Sequence, residues 1–88
     1  MDAETKANVA SRLRSVAGHL RAVERMVEED TYCVDVLRQT LAIEKALERV
    51  DALILGAHLR TCVADAFREG RADKTVQELT EIFTTTRK

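Results

Sequence analysis

The 88 residues contain no proline, no tryptophan and only three glycines. Without proline, nothing in the chain breaks a helix outright. A composition rich in Ala, Leu, Val, Glu and Arg favours helix over sheet, so the expected fold is all-α. Long hydrophobic runs are missing too. The longest uncharged stretch, residues 52–59, is far too short to span a bilayer. The opening MDAETKANVA is polar and of mixed charge, unlike a secretory signal. The expectation is therefore a soluble, cytoplasmic chain with no membrane partner. Two cysteines are too few for the disulfide framework of a small secreted domain. A dominant charge is absent as well: 14 Lys and Arg face 15 Asp and Glu. Any nucleic-acid binding must then come from a local patch. The length allows a single domain, 1–88, near the lower limit for an independent core.

Helical periodicity is what the chain does have. Val9, Leu13, Val16, Ala17, Leu20, Val23 and Val27 recur as one apolar stripe, predicting a helix from about Glu4 to Glu28. Glu29-Asp30-Thr31 interrupts it, with Asp30 or Thr31 able to cap the next helix. That second helix is expected from about Tyr32 to Arg68, with Gly70 as its stop signal. At ~1.5 Å per residue it would be a rod of about 55 Å. Its apolar residues fall on two lines. Val36, Ile43, Leu47, Val50 and Ile54 make one, while Val34, Leu37, Leu41, Leu55, Leu59 and Val63 lie largely off it. A third helix should run from Ala72 or Asp73 to about Phe83, with Val76, Leu79, Ile82 and Phe83 inward and the TTTRK end frayed. Three such helices cannot cover the long rod within one chain, so self-association into a helical bundle is expected.

The chemistry-bearing residues are Cys33, His58 and Cys62. His58 and Cys62, four apart on a helix, share one face and can chelate one metal ion. Taken alone, HLRTC is a weak signal, because a helical cysteine often serves as a small core hydrophobe. Cys33 lies 25 residues before His58 on the same helix. That separation is roughly 37 Å along the rod, too far for one straight helix to bring both to one ion. Two chains whose long helices pack antiparallel can do so, giving two equivalent sites per dimer. The same distance argues against an intrachain Cys33–Cys62 disulfide. Two thiolates and one imidazole form a soft, low-coordinate set suited to Cu(I), whereas zinc would need a fourth ligand or water. Binding would require both thiols deprotonated and His58 neutral, so affinity should fall with acidity. No base-orienter pair or glycine-rich oxyanion turn supports a cysteine nucleophile, so neither an enzyme nor a small-molecule substrate is expected.

RLRSVAGHLRAVERMVEEDTYCVDVLRQTLAI in the first half and LILGAHLRTCV in the second resemble the copper-sensitive operon repressor (CsoR) family of metal-sensing regulators. That family shares an arginine-rich opening that leads to Tyr-Cys, and a late His-Leu-x-x-Cys. The resemblance covers most of the chain. It implies three helices per chain, an antiparallel four-helix dimer core and a dimer of dimers. It further implies Cu(I) as the ligand of Cys33, His58 and Cys62, with Tyr32 and Glu78 supporting them. A carboxylate receiving the free N–H of His58 would fix its tautomer and tie the third helix to the site. Nickel and cobalt sensors of the family end the set with histidine, and formaldehyde sensors lack the last cysteine. Persulfide sensors keep both cysteines without the histidine. A thiol or persulfide sensor using Cys33 and Cys62 is thus the nearest alternative, and His58 separates the two.

Arg12 to Arg25 is the most basic stretch, with Arg14, Arg21 and Arg25 along one side of the first helix. By resemblance, Arg12 and Arg49 match arginines implicated in operator binding, and Arg14 and Arg21 belong to the shared opening. Repeated in a tetramer, these would gather a phosphate-binding surface on a chain of net charge −1. One departure is plain. Where the family usually has Gly-Gln-x-x-Gly, this chain has Gly18-His19 and then Ala22-Val23. The resemblance implies that the metal-free form binds operator DNA and that copper releases it. A metal-buffering bundle that never meets DNA is the alternative from another class.

Overall fold

Two residues in the left-handed region, Asp30 (φ 57°) and Gly70 (φ 77°), punctuate an otherwise helical chain. The computed structural model describes residues 1–86, with no strand among them. Helix α1 spans Ala3–Glu28, α2 Cys33–His58, α3 Ala64–Arg68 and α4 Ala72–Thr86. A π-helical turn, Leu59–Val63, joins α2 to α3. The all-α class and three helical stretches match expectation. The second stretch does not run as one unbroken α-helix.

Local chemistry sets the ends. The Asp2 carboxylate accepts the Thr5 N–H at 2.7 Å, satisfying one donor that the first turn of α1 leaves free. At the other end of α1, the Asp30 N–H donates to the Val27 carbonyl and the Thr31 N–H to the Met26 carbonyl. This paired closure is the Schellman arrangement. Asp30 therefore ends the first helix instead of capping the second. The Tyr32 carbonyl accepts the first α2 bonds, from Asp35 and Val36 at 3.0 and 3.2 Å. The stop at Gly70 repeats the device, with Gly70 N–H to Phe67 and Arg71 N–H to Ala66.

The chain forms two compact units, Met1–Leu55 and Gly56 onward. In the first, His19 Nε2 and Gln39 Oε1 lie 2.7 Å apart, a half-buried hydrogen bond linking α1 to α2. The buried residues are Val9 and Val23 on α1, and Ile43 and Val50 on α2. They repeat in multiples of seven residues. The stripe expected on α1 is thereby divided: Leu13, Leu20 (56% exposed) and Val27 (59%), also seven apart, remain on the surface. Leu37, Leu41, Leu47 and Ile54 of α2 are exposed as well. Hydropathy marks a residue as apolar but does not say which surface covers it.

In the second unit Ala57, Val63, Ala66 and Thr75 are buried. Thr75 is satisfied by its hydroxyl bond to the Arg71 carbonyl at 3.3 Å. Arg71 also binds the Glu69 carboxylate through Nε and Nη2. That bond, with the Glu69 charge, raises the guanidinium pKa above its ordinary value. Helix α4 continues past Phe83 to Thr86, three residues beyond the expected end. The Thr80 and Thr84 hydroxyls bond carbonyls one turn back, at 2.8 Å each. The rest of the tail expected to fray, residues 87–88, lies outside the described residues. Val76, Ile82 and Phe83 are exposed rather than inward, and only Leu79 of that set is half-buried. Among the described residues no helix is long and apolar enough to cross a membrane.

The two left-handed residues predict substitutions of opposite sign. Asp30→Gly removes a Cβ penalty of about 1 kcal/mol and should raise Tm by several degrees at fixed protein concentration. Gly70→Ala should lower it by a similar amount, read by circular dichroism melts.

Candidate metal centre

His58 closes α2, and Cys62 lies in the adjoining π-helical turn. The turn ends where the Ala64 N–H reaches back to the Thr61 carbonyl, a tight closure after a wide one. Within the turn the Thr61 hydroxyl donates to the Ala57 carbonyl at 2.8 Å. The same oxygen lies 3.7 Å from Cys62 Sγ. His58 is half-buried, while the Cys62 thiol is free and exposed. An imidazole and a thiol are thus carried one helical turn apart, with the sulfur open to solvent.

Cys33, also free and exposed, is the first residue of α2. It lines an open apolar hollow with Val27, Tyr32, Val36 and Leu37. Tyr32 is exposed beside it. Glu78, on α4, is exposed and acts on Arg71 through its charge. Among the described residues no three His, Cys, Asp or Glu side chains come together as a metal site, so the single chain does not join Glu78 to His58 and a thiol. Of the donors the sequence singles out, Cys33 lies in the first unit, exposed, and half-buried His58 and exposed Cys62 lie in the second. Their chemistry, two free thiols and one imidazole, fits a soft cation of low coordination number.

The arginines lie in the first unit. Arg12, Arg14 and Arg21 on α1 and Arg49 on α2 are all exposed. Arg12 Nε donates to Asn8 Oδ1 at 3.0 Å. The ion pairs among the described residues use Arg38, Arg68 and Arg71, not these four. His19, which stands where the family usually has Gln, is held by Gln39. Neither that bond nor the π turn has a signature in the sequence. A polar pair 20 residues apart, or a hydroxyl folded back on its own helix, leaves the hydropathy pattern unchanged.

Helices, soft donor atoms at the two ends of α2 and exposed arginines are, among the described residues, the features of a metal-responsive regulator. The chain belongs to the metal-sensitive transcriptional repressor family, whose profile matches residues 5–85. It is 37% identical over 78 residues to the copper-sensing transcriptional repressor CsoR of Bacillus subtilis, covering 89% of this chain and 77% of that protein. The copper-sensing repressor RicR of Mycobacterium tuberculosis is 48% identical over 67 residues, 76% of this chain and 70% of that one. For the CsoR of the same organism the identity is 42% over 69 residues, and the match spans 58% of that relative's length. The fold is similar to the crystal structure of the copper-sensing repressor CsoR with Cu(I) from Geobacillus thermodenitrificans. The TM-score is 0.92 at 36% identity, covering 100% of this chain and 92% of that one.

Proposed function

We propose that this chain is a Cu(I)-responsive transcriptional repressor, cytoplasmic and regulatory rather than enzymatic. In this reading the metal-free form binds operator DNA, and Cu(I) held by Cys33, His58 and Cys62 releases it. The observation that carries the reading is the placement of the donors. His58 and Cys62 sit one turn apart, while Cys33 begins the same helix 25 residues earlier. A helical separation of about 37 Å supports an intermolecular site, in which Cys33 of one chain would meet His58 and Cys62 of another. The relatives named above are copper sensors, which supports the choice of ion.

The surface supports the assembly. No large side chain is fully buried among the described residues, and Leu13, Leu20, Leu37 and Leu41 are exposed. Such a surface is unusual on a monomer and suits a four-helix dimer core, paired further into a tetramer. In that assembly Arg12, Arg14, Arg21 and Arg49 are repeated and contact phosphates. Tyr32 and Glu78 support the ligands, and Glu78 links α4 to His58. Bound Cu(I) supplies a bridge between two thiolates and an imidazole. By linkage, the DNA-free state must then hold copper more tightly by the factor through which copper weakens DNA binding.

Competition with a chromophoric Cu(I) chelator should show one tight site per chain. His58→Ala should weaken it by more than the roughly 10–100-fold typical of an outer-shell change. Unchanged binding in His58→Ala would instead favour the thiol or persulfide sensor, whose two thiols are free and exposed. Fluorescence anisotropy on the DNA upstream of the chain's own operon should show binding that weakens with salt and is reversed by Cu(I). Arg21→Ala should lower the slope of log K against log salt by about 1 for each phosphate it no longer touches. No salt-sensitive, copper-reversible binding would point to a metal-buffering bundle.

A further inference from the structure

The backbone leaves α-helical geometry at Leu59–Val63, the segment that carries Cys62. Turns of this kind are rare and frequently occur at functional sites. Something must favour them over the α-helix they interrupt. The Thr61 hydroxyl bond to the Ala57 carbonyl, 2.8 Å, is a candidate cause. A hydroxyl that binds a carbonyl one turn back competes with the backbone ladder and often bends it, although the same bond at Thr75, Thr80 and Thr84 leaves α4 regular. A side chain inserted into the ladder is among the recognised origins of helix distortion.

The width of this turn governs the relation between two ligands. With 3.6 residues per α-helical turn, four residues overshoot a full revolution. In a turn closed by bonds five residues back, four residues fall short of one. Cys62 therefore lies on one side of the line through His58 in a π turn and on the other in an α-helix. The Thr61 oxygen, 3.7 Å from Cys62 Sγ, also limits where the sulfur can point. Ala57, whose carbonyl receives that oxygen's hydrogen, is buried (4% exposed).

We propose that Thr61 is a positioning residue: its hydroxyl, anchored on the Ala57 carbonyl, holds the Leu59–Val63 turn wide and so sets the direction of Cys62 Sγ relative to His58. Its consequence for copper rests on the function proposed above, whereas its hold on the backbone does not. Thr61 itself is not a ligand. It acts before any metal arrives, by keeping the two donors in one relative orientation, which is how supporting residues tune metal sites.

The test uses the full-length protein and three variants. Thr61→Val keeps the shape and removes the hydroxyl, Thr61→Ala repeats the loss with a smaller side chain, and Thr61→Ser restores the hydroxyl. Backbone carbon chemical shifts and amide exchange over residues 59–63 are recorded without metal. Chelator competition and the sulfur-to-copper absorption band are recorded with Cu(I). The expected result is a move of the 59–63 shifts toward ordinary α-helix in Thr61→Val and Thr61→Ala. A roughly 10–100-fold loss of Cu(I) affinity and an altered band should accompany it, with Thr61→Ser close to the unsubstituted chain. Unaltered backbone shifts in Thr61→Val and Thr61→Ala overturn the proposal, as does a Thr61→Ser variant as impaired as Thr61→Val. Unaltered affinity with altered shifts overturns its metal half. If the unsubstituted chain binds no Cu(I) tightly, the copper reading fails, and the metal-free backbone data alone decide whether Thr61 holds the turn.

Discussion

An α-helix advances about 1.5 Å per residue, and this rigid pitch constrains everything proposed for the chain. Cys33 is the first residue of α2 and His58 the last, so the helix that bears both donors also keeps them apart. A flexible loop between them would let one chain wrap a metal ion by itself. In the proposed function that task passes to a second copy, and the sensing event would be a property of the assembly. On that proposal copper would act on the relation between subunits, where the arginines proposed to contact DNA would have to be aligned.

The thin interior leads to the same view. The apolar residues withdrawn from solvent are small or β-branched: Val9, Val23, Ile43, Val50, Ala57, Val63 and Ala66. Leu13, Leu20, Leu37, Leu41, Leu47 and Leu59, which carry larger apolar surfaces, stay exposed. On α1 the two classes lie on neighbouring lines, each stepping in multiples of seven residues: Val9 and Val23 within, Leu13, Leu20 and Val27 without. Burial of the second line is worth roughly 1.5–3 kcal/mol per large side chain. That stabilisation is open to a partner helix, and folding and assembly are coupled on this account.

Much of this is legible in the residues, and the exceptions have physical causes. Gly70 announces the end of α3 because a left-handed residue after a helix favours glycine. Asp30 occupies the same kind of position without glycine's signature, so by residue type it passes for a cap of the next helix. Periodicity finds the apolar residues of α1 but cannot separate the line that meets the same chain from the line left exposed. The π turn is invisible to it because one widened turn leaves the alternation of apolar and polar residues almost intact. The choice of Cys33, His58 and Cys62 as proposed donors rests on their type and spacing. The orientation of Cys62 is not legible there, because it depends on a hydroxyl bond inside the turn.

The most direct test of the account asks whether one site takes its ligands from two chains. Cys33→Ala and Cys62→Ala chains are prepared separately, each lacking one ligand, then unfolded and refolded together. A mixed pair would unite the intact Cys33 of one chain with the intact His58 and Cys62 of the other. The account predicts that neither variant alone binds Cu(I) tightly, and that the mixture regains one tight site per mixed pair. A mixture that forms mixed pairs and still shows no tight site would contradict it.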